Sequence, residues 1–506
     1  MEKRVFGTEC EYALFLQSPY RGSGEKGERE VLHGKALARH LEELSKYLVL
    51  ALRNLNLPLA GEFLGNGGRF YIDRGHPEYA TPECRSVKDL VSHEKAGDRT
   101  VQRLIQEARL LMAQKGIPGK LHAFKNNFDP YGNSYGSHEN YLVTPQAMGN
   151  IQAIIPFLVT RQIFTGAGKI TGIGGKARHG VFGAPFQLTQ RADFIDHVFS
   201  DRTTQMRGII NTRKRDIPRH GENIRLHVIL GDSNMSDYAI ALKIGVTAML
   251  LRLLEEDALH NIPHLSQPVN ALKETSINHD SLLEMEGQKC RYTALDIQCL
   301  YLEKAQRFFS IHEPDSESRE LLSHWEGILN ALNYVRLSKN RGAIEDDPYE
   351  ARRRIDWLLK FWLSERARKK SWTSWDEPNL RLMDFRYHDL DPHTGLFERC
   401  RTLDLVDWLA EEEEIVRAES DPPGDTRACM RGLIIQESMN KEVEVIVKNW
   451  ESIKILAGRA PHSQNAFDRH KRMINCLQIK LNDPFESRNP ALMTKVREFI
   501  HNQSTR

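Results

Sequence analysis

An α+β fold, in which a curved antiparallel sheet forms a cradle backed by helices and a small domain follows at the C-terminus, is what these 506 residues predict. Three observations carry that expectation. Several short segments, far apart in the chain, place charged or hydrogen-bonding residues on one face at the two-residue period of a strand, with apolar residues opposite. Helical patterns, with apolar residues every three or four positions, run between and after them. The segment Asp421-Pro422-Pro423-Gly424-Asp425 reads as a linker, separating residues 1–420, which hold the polar-faced sheet, from a small domain 421–506.

Composition sets limits on function. Apolar content of 40% with 27% charged residues is that of a globular chain, and a net charge of +2 gives no global electrostatic case for nucleic acid or an anionic membrane. The seven cysteines lie far apart without a CxxC pair, which points to free thiols in a reducing cytoplasm. The N-terminus lacks a secretion signal, and the most apolar helix candidate, Ala239 to Leu254, contains Lys243 and Arg252 and reads as a buried helix.

In chain order, Arg4 to Leu16 reads as a strand with Glu9 and Glu11 on one face. Two carboxylates converging to about 4 Å would repel by roughly 4 kcal/mol at an effective dielectric of about 20, so a cation or an arginine must offset them unless the face is wet. Gly34 to Asn56 is an amphipathic helix on Leu37, Leu41, Leu44, Leu48 and Leu52. In the stretch from Asn66 to Arg85, Arg69, Tyr71 and Asp73 share one strand face, and Pro77 and Pro82 interrupt pairing and stiffen a turn that carries Glu78 and Glu83. Val87 to Gln114 is helical. A further strand puts His138 and Asn140 on one face and Glu139 on the other.

Ile151 to Phe164 reads as an apolar helix. The following Thr165-Gly166-Ala167-Gly168-Lys169 fails the phosphate-loop pattern GxxxxGK[ST], because Ile163 replaces the first glycine and Ile170 follows the lysine; a mobile loop is expected up to Gly183. Gly208 to Arg213 and Arg225 to Asn234 are polar strands, the second with Arg225 and His227 on one face. Helices dominate Ser236 to Lys370, the acidic run Glu411 to Glu414 reads as a solvated helix face, and Lys441 to Ile455, with Trp450, reads as a strand or short helix.

Carboxylates on a rigid sheet, with no evident thiolate or imidazole cluster in the spacing, suit a hard oxygen-ligated ion such as Mg²⁺, which usually brings phosphates. Arg69, Arg213, Arg225 and Arg427 supply the positive charge that a nucleotide triphosphate requires. His138 and His227, on polar strand faces, are candidate metal ligands beside the carboxylates. Asp73 is the candidate general base or nucleophile. ATP-dependent carboxylate chemistry is the expectation from the residues alone.

The segments GTECEY, NGGRFYID with HPEYATPEC, KNN with GNSYGSHENYL, PFLVTRQ, QLTQRAD, IINTR, RLHVILGDSNMS, TALDIQ and PPGDTRA, in that order, resemble the Pup ligase and depupylase family from residue 1 to about 455. The resemblance implies a glutamine-synthetase-like carboxylate-amine ligase fold binding Mg²⁺ and ATP. It implies action on the C-terminal Glu or Gln of Pup, a small disordered protein tag, with pupylated or lysine-bearing target proteins as partners and neither nucleic acid nor membrane. It assigns Glu9, Tyr71 and Glu78 to Mg²⁺, Arg69 and Thr81 to ATP, Asp73 to catalysis, and Trp450 to packing against the nucleotide. Thr8, the spacing of Asp73 to His76, GSHENY, FQLTQR and PPGDTRA resemble the depupylase or deamidase branch, which the expectation favours. GNSYG, GDSNMS, TALDIQ, Asp483-Pro484-Phe485 and the shortened segment before NGGR resemble the ligase branch, the alternative reading. A glutamate-cysteine-ligase-like enzyme or a non-catalytic Pup-binding homologue is the second alternative.

Overall fold

A computed structural model describes residues 4–17, 35–55, 57, 59–129, 132–171, 185–212, 223–340, 349–371, 374–441, 443–459 and 476–504. The strands that carry the argument are β1 (Phe6–Glu11), β2 (Arg69–Asp73), β3 (His76–Ala80), β4 (Ser137–Val143), β5 (Ile195–Ser200), β6 (Arg207–Asn211), β7 (Ile224–Val228), β8 (Val443–Asn449), β9 (Ser452–Arg459) and β10 (Cys476–Lys480). The chain divides into two units: residues 1–15 with 122–410, and residues 16–121 with 411–506. The stretch from 421 therefore shares a unit with 16–121.

In the first unit the strand order is β5-β6-β7-β4-β1. The β5–β6 pair is parallel and the others are antiparallel. The single strand expected over Arg4–Leu16 is two, breaking at Tyr12 into β1 and a separate strand Ala13–Gln17. The strand expected from Arg225 to Asn234 ends at Val228, and the loop after it is buried and hydrogen-bonded: Asp232 accepts the backbone N–H groups of Ala167, Gln190 and Arg191 at 2.8, 2.9 and 3.1 Å. Those bonds also explain why the described part of the supposed mobile loop is ordered, with Thr165 to Ile170 buried and the Lys169 ammonium on Asp193 at 2.7 Å. Residues 172–184 of that loop lie outside the described residues.

The helix expected over Ile151–Phe164 is broken into Ile151–Ile154, Ile155–Thr160 and Gln162–Thr165. The helix Asp237–Glu255 is buried along nearly its whole length, as its apolar pattern requires, with Ser236 capping it by accepting the Ala239 N–H at 3.3 Å. Thr293 and Asp296 form a reciprocal capping box that starts the helix Ala294–Ile311. Among the described residues no helix is long and apolar enough to cross a membrane. The back of the sheet is not purely apolar: Glu139, on the face of β4 opposite His138, is buried against Arg161 and the Tyr141 hydroxyl, and Arg161 also donates to Thr247 Oγ1 at 2.6 Å.

In the second unit β3 and β2 continue into the short antiparallel strands Phe63–Leu64 and Leu59–Ala60. The helices Lys35–Asn54 and Val87–Gln114 pack together, the second capped by Ser86, whose Oγ accepts the Asp89 N–H at 3.2 Å. The acidic run is not merely solvated. It opens the helix Glu412–Ser420, which lies along Val87–Gln114, where Glu414 meets Lys88 at 2.7 Å and Glu412 meets Arg99 at 2.5 Å. Lys441 to Ile455 is a hairpin, β8 and β9, joined by β10 into an antiparallel sheet. Phe63, Ile434, Ile435, Ile453, Ile455, Val496 and Ile500 form its apolar core.

Candidate functional site

In the second unit, β2 and β3 form a hairpin whose two-residue turn, Arg74 (φ 49°) and Gly75 (φ 88°), has the positive φ values of a type I′ turn. Asp73 pairs with His76, Ile72 with Pro77 and Tyr71 with Glu78. The expectation that Pro77 interrupts pairing is therefore corrected: it sits inside a strand. It can do so because the pair next to the turn-closing pair is a non-hydrogen-bonded one, where a missing N–H forfeits no bond to the partner strand.

The pairing puts the Tyr71 hydroxyl on the buried Glu78 carboxylate, to which it donates a hydrogen bond. Arg69 lies over the Tyr71 ring, 4.1 Å from its centroid, and its Nε donates to Glu62 Oε2 at 2.9 Å. Thr81 is buried, and the Asp73 side chain is exposed at the end of β2.

Glu83 organises the adjoining segment. Its carboxylate takes Arg427 Nε at 2.8 Å and both terminal nitrogens of Arg431. Burial alone would raise the Glu83 carboxyl, but the charges and hydrogen bonds of Arg431 and Arg427 outweigh it and hold it below its ordinary value. Arg427, expected against phosphate or carboxylate, thus has a protein carboxylate, together with Glu451 at 3.3 Å and the Leu481 carbonyl at 3.1 Å. Arg431 also donates to the carbonyls of Gly67 and Trp450 at 2.8 and 2.9 Å. The Trp450 ring stands edge-on to Phe63, centroids 5.1 Å apart, with the Arg431 guanidinium 4.9 Å from its centroid. A side chain at Gly67 could not fit, because a Cβ there would lie 2.9 Å from the Ala428 carbonyl at a φ of 80°.

In the first unit, strand register assembles a second cluster. Glu9 stands opposite His138 across β1 and β4, and Asn140 stands opposite His227 across β4 and β7. Glu9 Oε2 accepts from His138 Nδ1 at 3.2 Å, Glu9 Oε1 accepts from Asn140 Nδ2 at 3.2 Å, and Asn140 Oδ1 lies 2.7 Å from His227 Nδ1. Arg225 Nη1 is 3.9 Å from Glu9. Burial would raise the Glu9 carboxyl, but the His138 hydrogen bond and the neighbouring His227, His138 and Arg225 reverse this and hold it well below the usual carboxylate range.

One ligand atom from each of Glu9, His138 and His227 lies within 4.8 Å of the others. The sequence spacing gave no imidazole cluster, yet the His138 and His227 rings are 5.0 Å apart. Pairing of strands that are remote in sequence makes it. Gly136 keeps the cluster open, since a Cβ there would fall 2.6 Å from His138 Nε2 and 2.8 Å from Glu11 Oε1. An ionised carboxylate, two imidazoles and a cradle without a side chain fit a divalent cation; two nitrogens suit Mn²⁺ or Zn²⁺ better than Mg²⁺.

Arg213 lies outside the described residues. One arginine inside a quoted motif was not singled out by the sequence: Arg191 of QLTQRAD is buried, and burial with Arg207 beside it lowers its guanidinium to about 10. It donates to the Tyr135 and Ile229 carbonyls, while its Nη2 has no hydrogen-bond partner among the described residues. Its position directly after a glutamine in a polar run gave no periodic signal.

The fold and these two clusters define an α+β protein whose mostly antiparallel strands carry carboxylates, imidazoles and arginines suited to cations and anions. A family model described as Pup-ligase protein matches residues 4–454. A Pup--protein ligase of Acidimicrobium ferrooxidans is 36% identical over 90% of this chain and 93% of that protein. A depupylase of Acidothermus cellulolyticus is 37% identical over 79% of this chain and 76% of that protein. Among solved structures, the ligase PafA in complex with Pup is similar with a TM-score of 0.78 at 29% identity, covering 99% of this chain and 92% of that one. PafA in complex with ADP is similar with a TM-score of 0.74 at 29% identity, covering 96% and 98%. The chain belongs to the Pup ligase family.

Proposed function

We propose that this protein is a cytoplasmic, nucleotide- and Mg²⁺-dependent enzyme that acts on the C-terminal glutamate or glutamine of Pup, working as a Pup--protein ligase. The observation that carries the direction is the alignment with a ligase over 90% of this chain and 93% of the relative. The depupylase relative is covered over only 76% of its length, in keeping with the shortened segment before Asn66. The small-molecule alternative loses ground to a family match that spans residues 4–454.

In this reading Mg²⁺ and ATP supply phosphoryl transfer to the Pup carboxylate, which makes it reactive toward a target lysine. In the first unit, Glu9, His138 and His227 are the cation ligands, and Arg225 and Arg191 are anion contacts, Arg191 through its open Nη2. In the second unit, Tyr71 and Glu78 are cation ligands. Arg69 and Thr81 contact the nucleotide, Trp450 presents a ring for the base, and Arg427 and Arg431 hold these elements through Glu83. Asp73, exposed at the hairpin, is the general base that takes the proton of the attacking amine.

The hydrolase reading keeps one specific support, the two-residue turn between Asp73 and His76 together with GSHENY and PPGDTRA, which are depupylase-like. The assay combines the protein, ATP, Pup ending in Gln or Glu, and a pupylated substrate, with conjugates followed on a gel. New conjugates from Pup ending in Glu are expected. Cleavage without conjugation assigns the hydrolase activity and overturns the ligase proposal.

A further inference from the structure

Three of the quoted motifs, KNN, GNSYG and QLTQRAD, are joined in the first unit by a closed ring of hydrogen bonds. Gln190 Oε1 accepts the Asn127 backbone N–H at 2.7 Å. Asn127, whose Oδ1 accepts the Ser233 N–H at 2.6 Å, directs its Nδ2 to the Tyr135 carbonyl at 3.2 Å. Arg191 Nη1 donates to that same carbonyl, and Arg191 follows Gln190 in the chain, which completes the ring. The Gln190 amide has one permitted orientation. A backbone N–H stands at its oxygen end and the Gly168 carbonyl, 3.0 Å from Nε2, at the other, so the two ends cannot be exchanged.

A buried charge cluster fixes the nitrogen end of that amide. Lys360 Nζ matches each ammonium N–H to an acceptor: the Gly168 carbonyl at 2.8 Å, Asp384 Oδ1 at 2.6 Å and His388 Nε2 at 2.8 Å. Gln190 Nε2 reaches the same His388 nitrogen at 2.9 Å and, like the ammonium, can only donate, so His388 Nε2 is an acceptor. Burial and the Lys360 charge hold the His388 ring well below its ordinary value, which keeps it neutral. Gln190, Lys360 and His388 are each 0% exposed. A buried ion pair is weak evidence for stability, because apolar side chains of the same volume often serve as well. Here it holds Gly168 and His388 at the places where the Gln190 amide meets them.

We propose that Gln190 is a positioning residue whose side-chain amide closes the ring that aims the Arg191 guanidinium, so that a substrate anion meets Arg191 Nη2 in one fixed place. This rests on the reading of Arg191 as an anion contact. Without the amide, Asn127 loses the acceptor for its backbone N–H, the Tyr135 carbonyl loses its fixed donor, and the guanidinium is left with the Ile229 carbonyl alone to direct it. A displacement of about 1 Å at a group that holds substrate can cost about 10²-fold in rate.

The test uses the full chain. In protein labelled with ¹⁵N-arginine, with Arg191→Lys and Arg161→Lys assigning the two signals, the Arg191 Nε–H, which donates to the Ile229 carbonyl at 3.2 Å, is expected to exchange slowly with solvent. Gln190→Met, which keeps the length of the side chain and deletes both ends of the amide, should speed that exchange at least about tenfold, while the signal of Arg161, buried in the same unit, persists. With ATP, a lysine-bearing target and Pup ending in Glu, Gln190→Met should lower kcat/KM for Pup about 10- to 100-fold, but less than about threefold when Arg191→Met is already present. Gln190→Glu keeps the acceptor toward Asn127 and loses the donor toward Gly168; it should behave likewise and serves if the methionine variant does not fold. An unchanged Arg191 signal in a folded variant, or an equal loss of kcat/KM with and without Arg191→Met, overturns the proposal. A changed Arg191 signal together with full turnover in Arg191→Met supports the role of Gln190 and overturns the anion reading of Arg191 instead. Because the signal needs no substrate, a protein that forms no conjugates overturns the ligase reading, while the role of Gln190 stands or falls on the signal.

Discussion

Replacing Glu83 with glutamine should unfold the second unit at a much lower temperature, although the side chain keeps its size. The carboxylate receives Arg427 at 2.8 Å and two nitrogens of Arg431, whose side chain is 0% exposed. A neutral amide cannot accept bidentately from Arg431, and a buried guanidinium is left uncompensated. Breaking a buried pair in this way costs about 3–5 kcal/mol. At roughly 2–4 °C per kcal/mol for a unit near two hundred residues, Tm should drop by about 6–20 °C, read by scanning calorimetry.

The pH dependence gives a second readout. The Glu83 carboxyl is held below its ordinary value, so its stabilisation is complete above that ordinary value and is lost as pH falls through the depressed one. The gap in Tm between the two proteins should stay constant from neutral pH down to about 5 and close in stronger acid. A drop under about 1 kcal/mol at neutral pH, or a gap that widens on acidification, would refute the account of Glu83 as the counter-ion of Arg431.

Asp73→Asn should lower turnover about 10²- to 10⁴-fold while nucleotide binding by calorimetry is retained; full turnover would remove Asp73 from catalysis. Gly136→Ala, which inserts a Cβ 2.6 Å from His138 Nε2, should weaken Mn²⁺ binding at least tenfold with little change in Tm, and unchanged affinity would place the cation elsewhere. Arg161→Met should destabilise the first unit by about 3–5 kcal/mol by stranding Glu139, and Glu139→Gln added to it should recover much of that loss in urea unfolding. His93, buried on the helix Val87–Gln114, is lowered to about 3 by burial alone. Since the unfolded chain protonates near 6.5 and the folded one does not, stability is complete above that pH and should fall by about 1.4 kcal/mol per pH unit below it, a slope that His93→Leu should flatten.

Periodicity within a segment was enough to give the polar strand faces, the amphipathic helix on Leu44 and Leu48, the buried helix Asp237–Glu255 and the strand residues Arg69, Tyr71 and Asp73, because each follows from a repeat of two or 3.6 residues in local sequence. The ordered motifs likewise gave the family that the comparisons bear out. Register lay beyond the sequence. Whether Glu9 meets His138, and Asn140 meets His227, depends on which residues pair across strands that begin at 6, 137 and 224, and a slip of one residue would turn each donor to the other face. Nor could local sequence show that Glu83 would be the counter-ion of Arg427 and Arg431, more than three hundred residues downstream, or that Pro77 occupies a position in β3 that forgoes no hydrogen bond to β2. Side-chain chemistry is written along the chain, whereas the distances that turn it into a site are fixed by pairing and packing between segments the chain keeps far apart.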